Sequence, residues 1–84
     1  MDKVLIEVVC PATSRRYEFW LARKMTVGQA ALRMARDIML YESNDGLFDE
    51  ENLFLYFYEN RVLLDQKHTI GQSGLRSGCR LYLV

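Results

Sequence analysis

Cysteine, proline, histidine and net charge are all scarce in this chain, and each scarcity closes off a class of protein. Two cysteines, Cys10 and Cys79, are too few for a disulfide scaffold. One proline, five glycines and 12% aromatic residues are the reverse of a disordered composition. Eleven basic side chains balance eleven acidic ones, so no excess of base exists to hold nucleic acid or an anionic membrane. The balance is only mildly uneven: residues 1–41 carry seven basic and four acidic groups, and residues 42–84 carry four and seven. No run approaches the roughly eighteen apolar residues of a membrane span. An acidic residue interrupts Met-Asp-Lys-Val-Leu-Ile-Glu too early for a secretory leader. The expectation is a cytoplasmic protein with reduced thiols, not inserted in a membrane.

What the chain does contain is apolar material, half of its 84 residues, enough for one domain spanning 1–84 but not for a deep internal cavity. Val4 to Val9 is β-branched and alternates around Glu7, with Val4, Ile6 and Val8 on one face. Pro11 to Arg15 supplies a turn, and Arg16 to Leu21 alternates again, with Tyr17, Phe19 and Leu21 inward. The two segments read as a hairpin. Thr26-Val27-Gly28-Gln29 is a capping-box sequence opening a helix from about Val27 to Tyr41. Its apolar stripe is Val27, Ala31, Met34, Ile38 and Tyr41. Leu32 and Met39 widen that stripe; either the following loop covers them, the favoured reading, or they mark a partner surface. Ser43 to Gly46 ends the helix, and Asp49-Glu50-Glu51-Asn52 continues an acidic loop.

Leu53 to Tyr58 is an aromatic strand, and Arg61 to Leu64 a short returning one. Thr69 to Leu75 allows one helical turn at most, and Ser77-Gly78 is a tight turn. Arg80 to Val84 is the last strand. No repeat, linker or low-complexity stretch is legible. The order is β-β-α-β-β-β, an α+β class in which a single helix must cover one face of one mixed sheet. Hairpin, helical crossover and further strands form the β-grasp arrangement, with the last strand parallel to the first in mid-sheet.

Thr26-Val27, Leu55-Tyr56-Phe57, Leu64-Asp65, Thr69-Ile70, Leu75, Gly78 and Leu81-Tyr82-Leu83-Val84 form a series that resembles ubiquitin over nearly the whole chain. The resemblance is one of pattern, specific for fold and weak for function. Two departures stand out: a longer helix-to-strand loop, and an end at Val84 without the Gly-Gly tail used in conjugation and sulfur carriage. Neither of those activities is expected. A small ubiquitin-like chain with a lengthened loop is similar to the YukD/EsaB family of bacterial type VII (WXG100) secretion systems. Its closing Gly-Leu-Arg-Ser-Gly-Cys-Arg-Leu-Tyr-Leu-Val resembles that family's close, with Cys79 where Asp is common. The resemblance implies a cytosolic accessory or regulatory subunit docking on a membrane component of the secretion machinery. A ubiquitin-like interaction domain of another complex, or one excised from a longer protein, is the alternative.

No catalytic constellation emerges, and neither a cofactor nor a metal is expected. His68 stands alone, whereas a metal needs three or four convergent ligands. In parallel strands Cys10 and Cys79 fall at opposite ends, beyond disulfide reach, and alternation sends Cys79 and Arg80 to opposite faces. The acidic loop lacks the spacing that wraps oxygens around calcium. The informative surface is the outward face of the sheet, where alternation places Trp20, Tyr56, Tyr58, Tyr82 and Val84, with Phe54 and Leu5 beside them. Tyr and Trp dominate binding hot spots, and these residues are the candidate partner-binding set. The resemblance adds that Tyr56, Tyr82 and Val84 fall where ubiquitin-like folds present their usual recognition surface. Cross-strand pairing for stability is the competing reading, and weak self-association through the same face stays open.

Overall fold

A computed structural model describes residues 2–84. Strand β1 is Lys3–Cys10, β2 Arg15–Ala22, α1 Val27–Tyr41, β3 Leu55–Phe57 and β4 Arg80–Leu83. The hairpin pairs in unbroken antiparallel register from Lys3 with Ala22 to Cys10 with Arg15. The helix then carries the chain across one face, so that β4 pairs parallel to β1 and antiparallel to β3. The sheet order is β2-β1-β4-β3, with the two central strands β1 and β4. Val4, Ile6, Val8, Leu55, Leu81 and Leu83 from the sheet meet Val27, Ala30, Ala31, Met34, Ala35 and Ile38 from the helix in one buried cluster. The four-stranded mixed sheet with its single helix is the expected α+β arrangement.

The helix spans the predicted residues because its ends are chemically marked. The Thr26 hydroxyl accepts from the Gln29 amide at 3.1 Å, and the Gln29 side chain accepts from the Thr26 amide at 3.0 Å. Together they close the capping box. Met39 is buried with Leu53 in the core, and Leu32 is half-buried against it. Leu47 and Phe48 of the long loop also pack there, as the loop reading required. Tyr41 departs from expectation: it is 72% exposed, its ring edge-on to Tyr17 at 6.3 Å. Helical period places it in the stripe, but β2 is the sheet edge and, among the described residues, no strand lies beyond it to cover the ring.

Two further expectations are corrected. The third strand is shorter than Leu53–Tyr58, although Phe54 and Val84 still exchange backbone hydrogen bonds at 2.8 and 3.0 Å. The short strand at 61–64 is absent, reduced to a single bridge between Tyr56 and Leu63. Arg61 adopts φ of 57°, and its amide donates to the Phe57 carbonyl at 2.8 Å. A residue in the left-handed region turns the chain where a strand would have to run extended.

One short repeat also exists, invisible as a pattern because its copies lie far apart. Thr69-Ile70-Gly71-Gln72 repeats Thr26-Val27-Gly28-Gln29, with the same reciprocal threonine–glutamine bonds at 3.1 and 2.9 Å. The copies face each other across a Thr26–Thr69 bridge. The Val27 amide donates to the His68 carbonyl at 2.8 Å, and the Ile70 amide to the Met25 carbonyl at 2.7 Å. Gly28 and Gly71 then donate to Gln66 and Arg23 in the same symmetric sense. A Cβ added at either glycine would rest in ordinary van der Waals contact with the opposite carbonyl, at 3.4 and 3.5 Å, so the pairing itself does not demand glycine. Thr26→Ala and Thr69→Ala are each expected to cost about 1 kcal/mol, because each removes the acceptor of an equivalent cap. Chemical denaturation of the two variants checks the equality; a silent Thr69→Ala would make the second copy incidental.

The acidic loop is clamped to the helix by the two-pronged contact of Arg36 Nε and Nη2 with the Glu50 carboxylate, at 2.9 and 3.2 Å. The hydrogen bond from Arg36 lowers the Glu50 pKa, and the bond from the Asn52 side chain lowers that of Asp49. A carboxylate with a lowered folded pKa stabilises the loop above its ordinary range and loses that contribution as pH falls through the lowered value. Acidification below the ordinary carboxylate range is therefore expected to lower amide protection factors, measured against the intrinsic exchange rate at the same pH, at residues 45–52 before the helix loosens. Simultaneous loss of protection in loop and helix would contradict this.

Candidate functional site

Strand register decides which outward side chains meet. Tyr56 lies opposite Tyr82, and Val9 opposite Tyr82 on the other side. One residue pair further along, Val84 faces Phe54, with Pro11 following at the end of β1. Pro11, Tyr56, Arg61, Tyr82 and Val84 line an open groove of about 490 Å³. Tyr58 stacks on Tyr82 with ring centroids 4.8 Å apart and planes inclined by 28°. The Arg61 guanidinium lies 6.0 Å from the centre of the Tyr82 ring, and that of Arg80 lies 5.5 Å from Tyr58. Val84 and Phe54 extend the patch and are 44% and 37% exposed. Of the five residues singled out from sequence, the structure brings together Tyr56, Tyr58, Tyr82 and Val84.

Trp20 does not join them. It is exposed and pairs with Leu5 at the opposite corner of the face. A charged row separates the two corners: Glu18 faces Glu7, and Glu7 faces Arg80. The Glu7 carboxylate lies 3.0 Å from Arg80 Nε and 3.8 Å from Arg16 Nη1. Alternation gives the face of a side chain but not its row, and the row needs the parallel β1–β4 register. Arg61 and Pro11 escaped the sequence reading. Arg61 reaches the groove only through its left-handed turn, and Pro11 only through that same register.

The thiols and the histidine sit as alternation and spacing suggested. Cys10 is buried, Cys79 is half-buried against the core, and neither is bonded to the other. Arg80 points to the outer face, away from Cys79. His68 Nε2 lies 3.7 Å from Asp65 in an exposed loop. Among the described residues, no group of three or more His, Cys, Asp or Glu is placed to hold a metal ion. No helix among them is long and apolar enough to cross a membrane.

The sheet order, the single crossing helix and the left-handed turn at Gly78, with φ of 94°, define a ubiquitin-like β-grasp domain. Solved structures with this fold align over almost the whole chain. The ubiquitin-like domain of PLXNC1 superposes with a TM-score of 0.78 at 16% identity, covering 98% of this chain and 97% of that one. The ubiquitin-like domain of Plasmodium falciparum Dsk2 gives 0.74 at 13% identity, covering 98% and 96%. The ubiquitin of Caldiarchaeum subterraneum gives 0.69 at 16% identity, covering 96% and 90%. Identities this low establish the fold alone. No protein-family model matches the sequence, and neither does any curated protein.

Proposed function

We propose that this chain is a non-enzymatic interaction module that binds a protein partner through the groove formed by Pro11, Tyr56, Arg61, Tyr82 and Val84. The observation that carries the reading is the stacked Tyr58–Tyr82 pair beside open apolar surface at Val84 and Phe54. Two rings already ordered against each other lose little entropy when a partner covers them, and buried tyrosine is a common hot spot. Arg61, left without a carboxylate partner among the described residues, supplies a directional contact at the rim. The partner is a membrane component of a type VII secretion machinery, which the chain serves from the cytosolic side. Support for this setting is the resemblance of the long acidic loop and the Gly74-to-Val84 close to the YukD/EsaB family.

The test is affinity purification of the tagged chain from its native cells beside a Tyr56→Ala/Tyr82→Ala variant shown to be folded. Samples are eluted under native and denaturing conditions. A membrane secretion component that elutes natively and vanishes with the variant supports both face and setting. Adducts that survive denaturation, or a partner retained by the variant, overturn the reading.

A further inference from the structure

The C-terminal end of the helix, on the opposite face of the sheet from the tyrosine groove, carries surface that the proposed function leaves unused. Leu40 is 80% exposed and Tyr41 72%, more than any other large hydrophobic side chain among the described residues. With 3.6 residues per turn the two stand about 100° apart, and Asp37 lies between them one turn below. On the other side of Leu40 an open groove of about 510 Å³ runs to the acidic loop, bordered by Arg36, Met39, Asp45 and Glu50. Arg33, on the same face about 10 Å back along the axis, closes this surface toward the helix N-terminus.

The charge around this surface is more one-sided than a division at mid-chain discloses. Residues 37–60 carry seven acidic side chains and no basic one, whereas the rest of the chain carries eleven basic and four acidic. Six of those seven lie from Asp37 to Glu51, on the helix end and the loop clamped to it. Glu50 is paired with Arg36, and Glu42 lies 3.8 Å from Arg15. Asp37, Asp45, Asp49 and Glu51 have no cationic partner among the described residues. The last turn of the helix holds no base either. A helix C-terminus is the negative pole of the backbone dipole, so an incoming cation is drawn by the helix as well as by the carboxylates.

We propose that this end of α1 is a second docking site, taking a basic amphipathic helix of a protein partner. The apolar stripe of that helix covers Leu40 and Tyr41. Lysines or arginines flanking the stripe meet Asp37 on one side and Asp45 on the other. Exposed apolar side chains set among carboxylates are the complement of an apolar stripe set among bases. The charge match steers encounter and rejects acidic segments, and an anionic membrane or nucleic acid is repelled by the same groups. No residue of this surface belongs to the tyrosine groove, so either site can fail without the other.

The probe is a short capped helical peptide with a leucine stripe flanked by lysines, titrated into the full chain and followed by amide resonances. The expected result is shifts centred on Asp37, Leu40, Tyr41 and Asp45, with affinity falling as salt rises. Leu40→Ala is expected to weaken binding about fivefold or more, as truncation of a central apolar contact does. Asp37→Asn/Asp45→Asn is expected to weaken it by about three- to tenfold at low salt, the sum of two exposed charge contacts. All three positions are exposed, and denaturation midpoints close to the parent's keep the comparison one of binding. A peptide with glutamates in place of the lysines is expected not to bind. Full binding by Leu40→Ala would reduce the effect to bare charge attraction and overturn the proposal. Equal binding of the glutamate peptide, shifts centred on Tyr56 and Tyr82, or no binding of the lysine peptide would overturn it as well. Sedimentation that rises with concentration of the chain alone, abolished by Leu40→Ala, would overturn it in favour of a second copy.

Discussion

Leu81→Ala is expected to lower stability by about 2–5 kcal/mol, the range for deleting a buried leucine side chain where the surroundings cannot collapse. Leu81 is fully buried on a central strand, between Val8 of β1 and Phe57 of β3, and neither backbone can move inward without breaking a ladder. Domains carry roughly 0.05–0.15 kcal/mol of stability per residue, about 4–13 kcal/mol for a chain of this size, so the loss is a large fraction of the total. In thermal unfolding a domain of this size falls by about 4–8 °C per kcal/mol, and Leu81→Ala should be largely unfolded at temperatures where the parent is intact. Leu40→Ala provides the contrast. That side chain is 80% exposed on the far side of the helix, and its loss is expected to stay within about 0.5 kcal/mol. Equal destabilisation by the two would mean that the core is not centred on β1 and β4.

The same contrast explains what the sequence could disclose. Leu81 was legible as core because period-two alternation separates it from Arg80 and Tyr82, and the structure keeps that separation. The helix was legible to the residue, since the Thr26–Gln29 box is a local chemical signal that needs no tertiary contact. Arg61 was not, because its left-handed backbone is imposed by the turn after β3 and nothing in Arg-Val-Leu-Leu announces it. Tyr41 obeyed the helical period and is nonetheless exposed, since burial there depends on a strand beyond β2 that the fold does not have. The candidate face was half legible. Four of its five residues converge, whereas Trp20 lies across the Glu18–Glu7–Arg80 row, a separation fixed by strand order and register. The Thr-x-Gly-Gln repeat was present in plain letters, but only the facing of its copies shows that it is one device used twice.

Tyr82→Ala is expected to weaken capture of the groove's partner by roughly 30-fold or more, the loss of a hot spot worth about 2 kcal/mol or above. The tyrosine contributes twice. Its own ring covers the groove, and it holds Tyr58 at 4.8 Å and Arg61 at 6.0 Å. Removing the ring leaves both neighbours to be ordered by the partner, an added entropic cost on binding. Stability should fall far less, by about 0.2–1 kcal/mol, because a cross-strand pair on a solvated face contributes on that scale. Tyr82→Phe separates the two roles of the residue: it preserves the stack and loses only the hydroxyl, so most of the affinity should return. Trp20→Ala, across the charged row, should leave capture by this groove within about threefold, as expected for a residue outside the desolvated centre of an interface. The measurement is quantitative capture, by each purified variant, of whatever partner the affinity purification recovers, beside the variant's denaturation midpoint. Loss of binding in proportion to loss of stability would return the tyrosines to a structural role. Loss of binding at nearly constant stability assigns them to recognition, because a surface residue kept for the fold alone has no reason to show it.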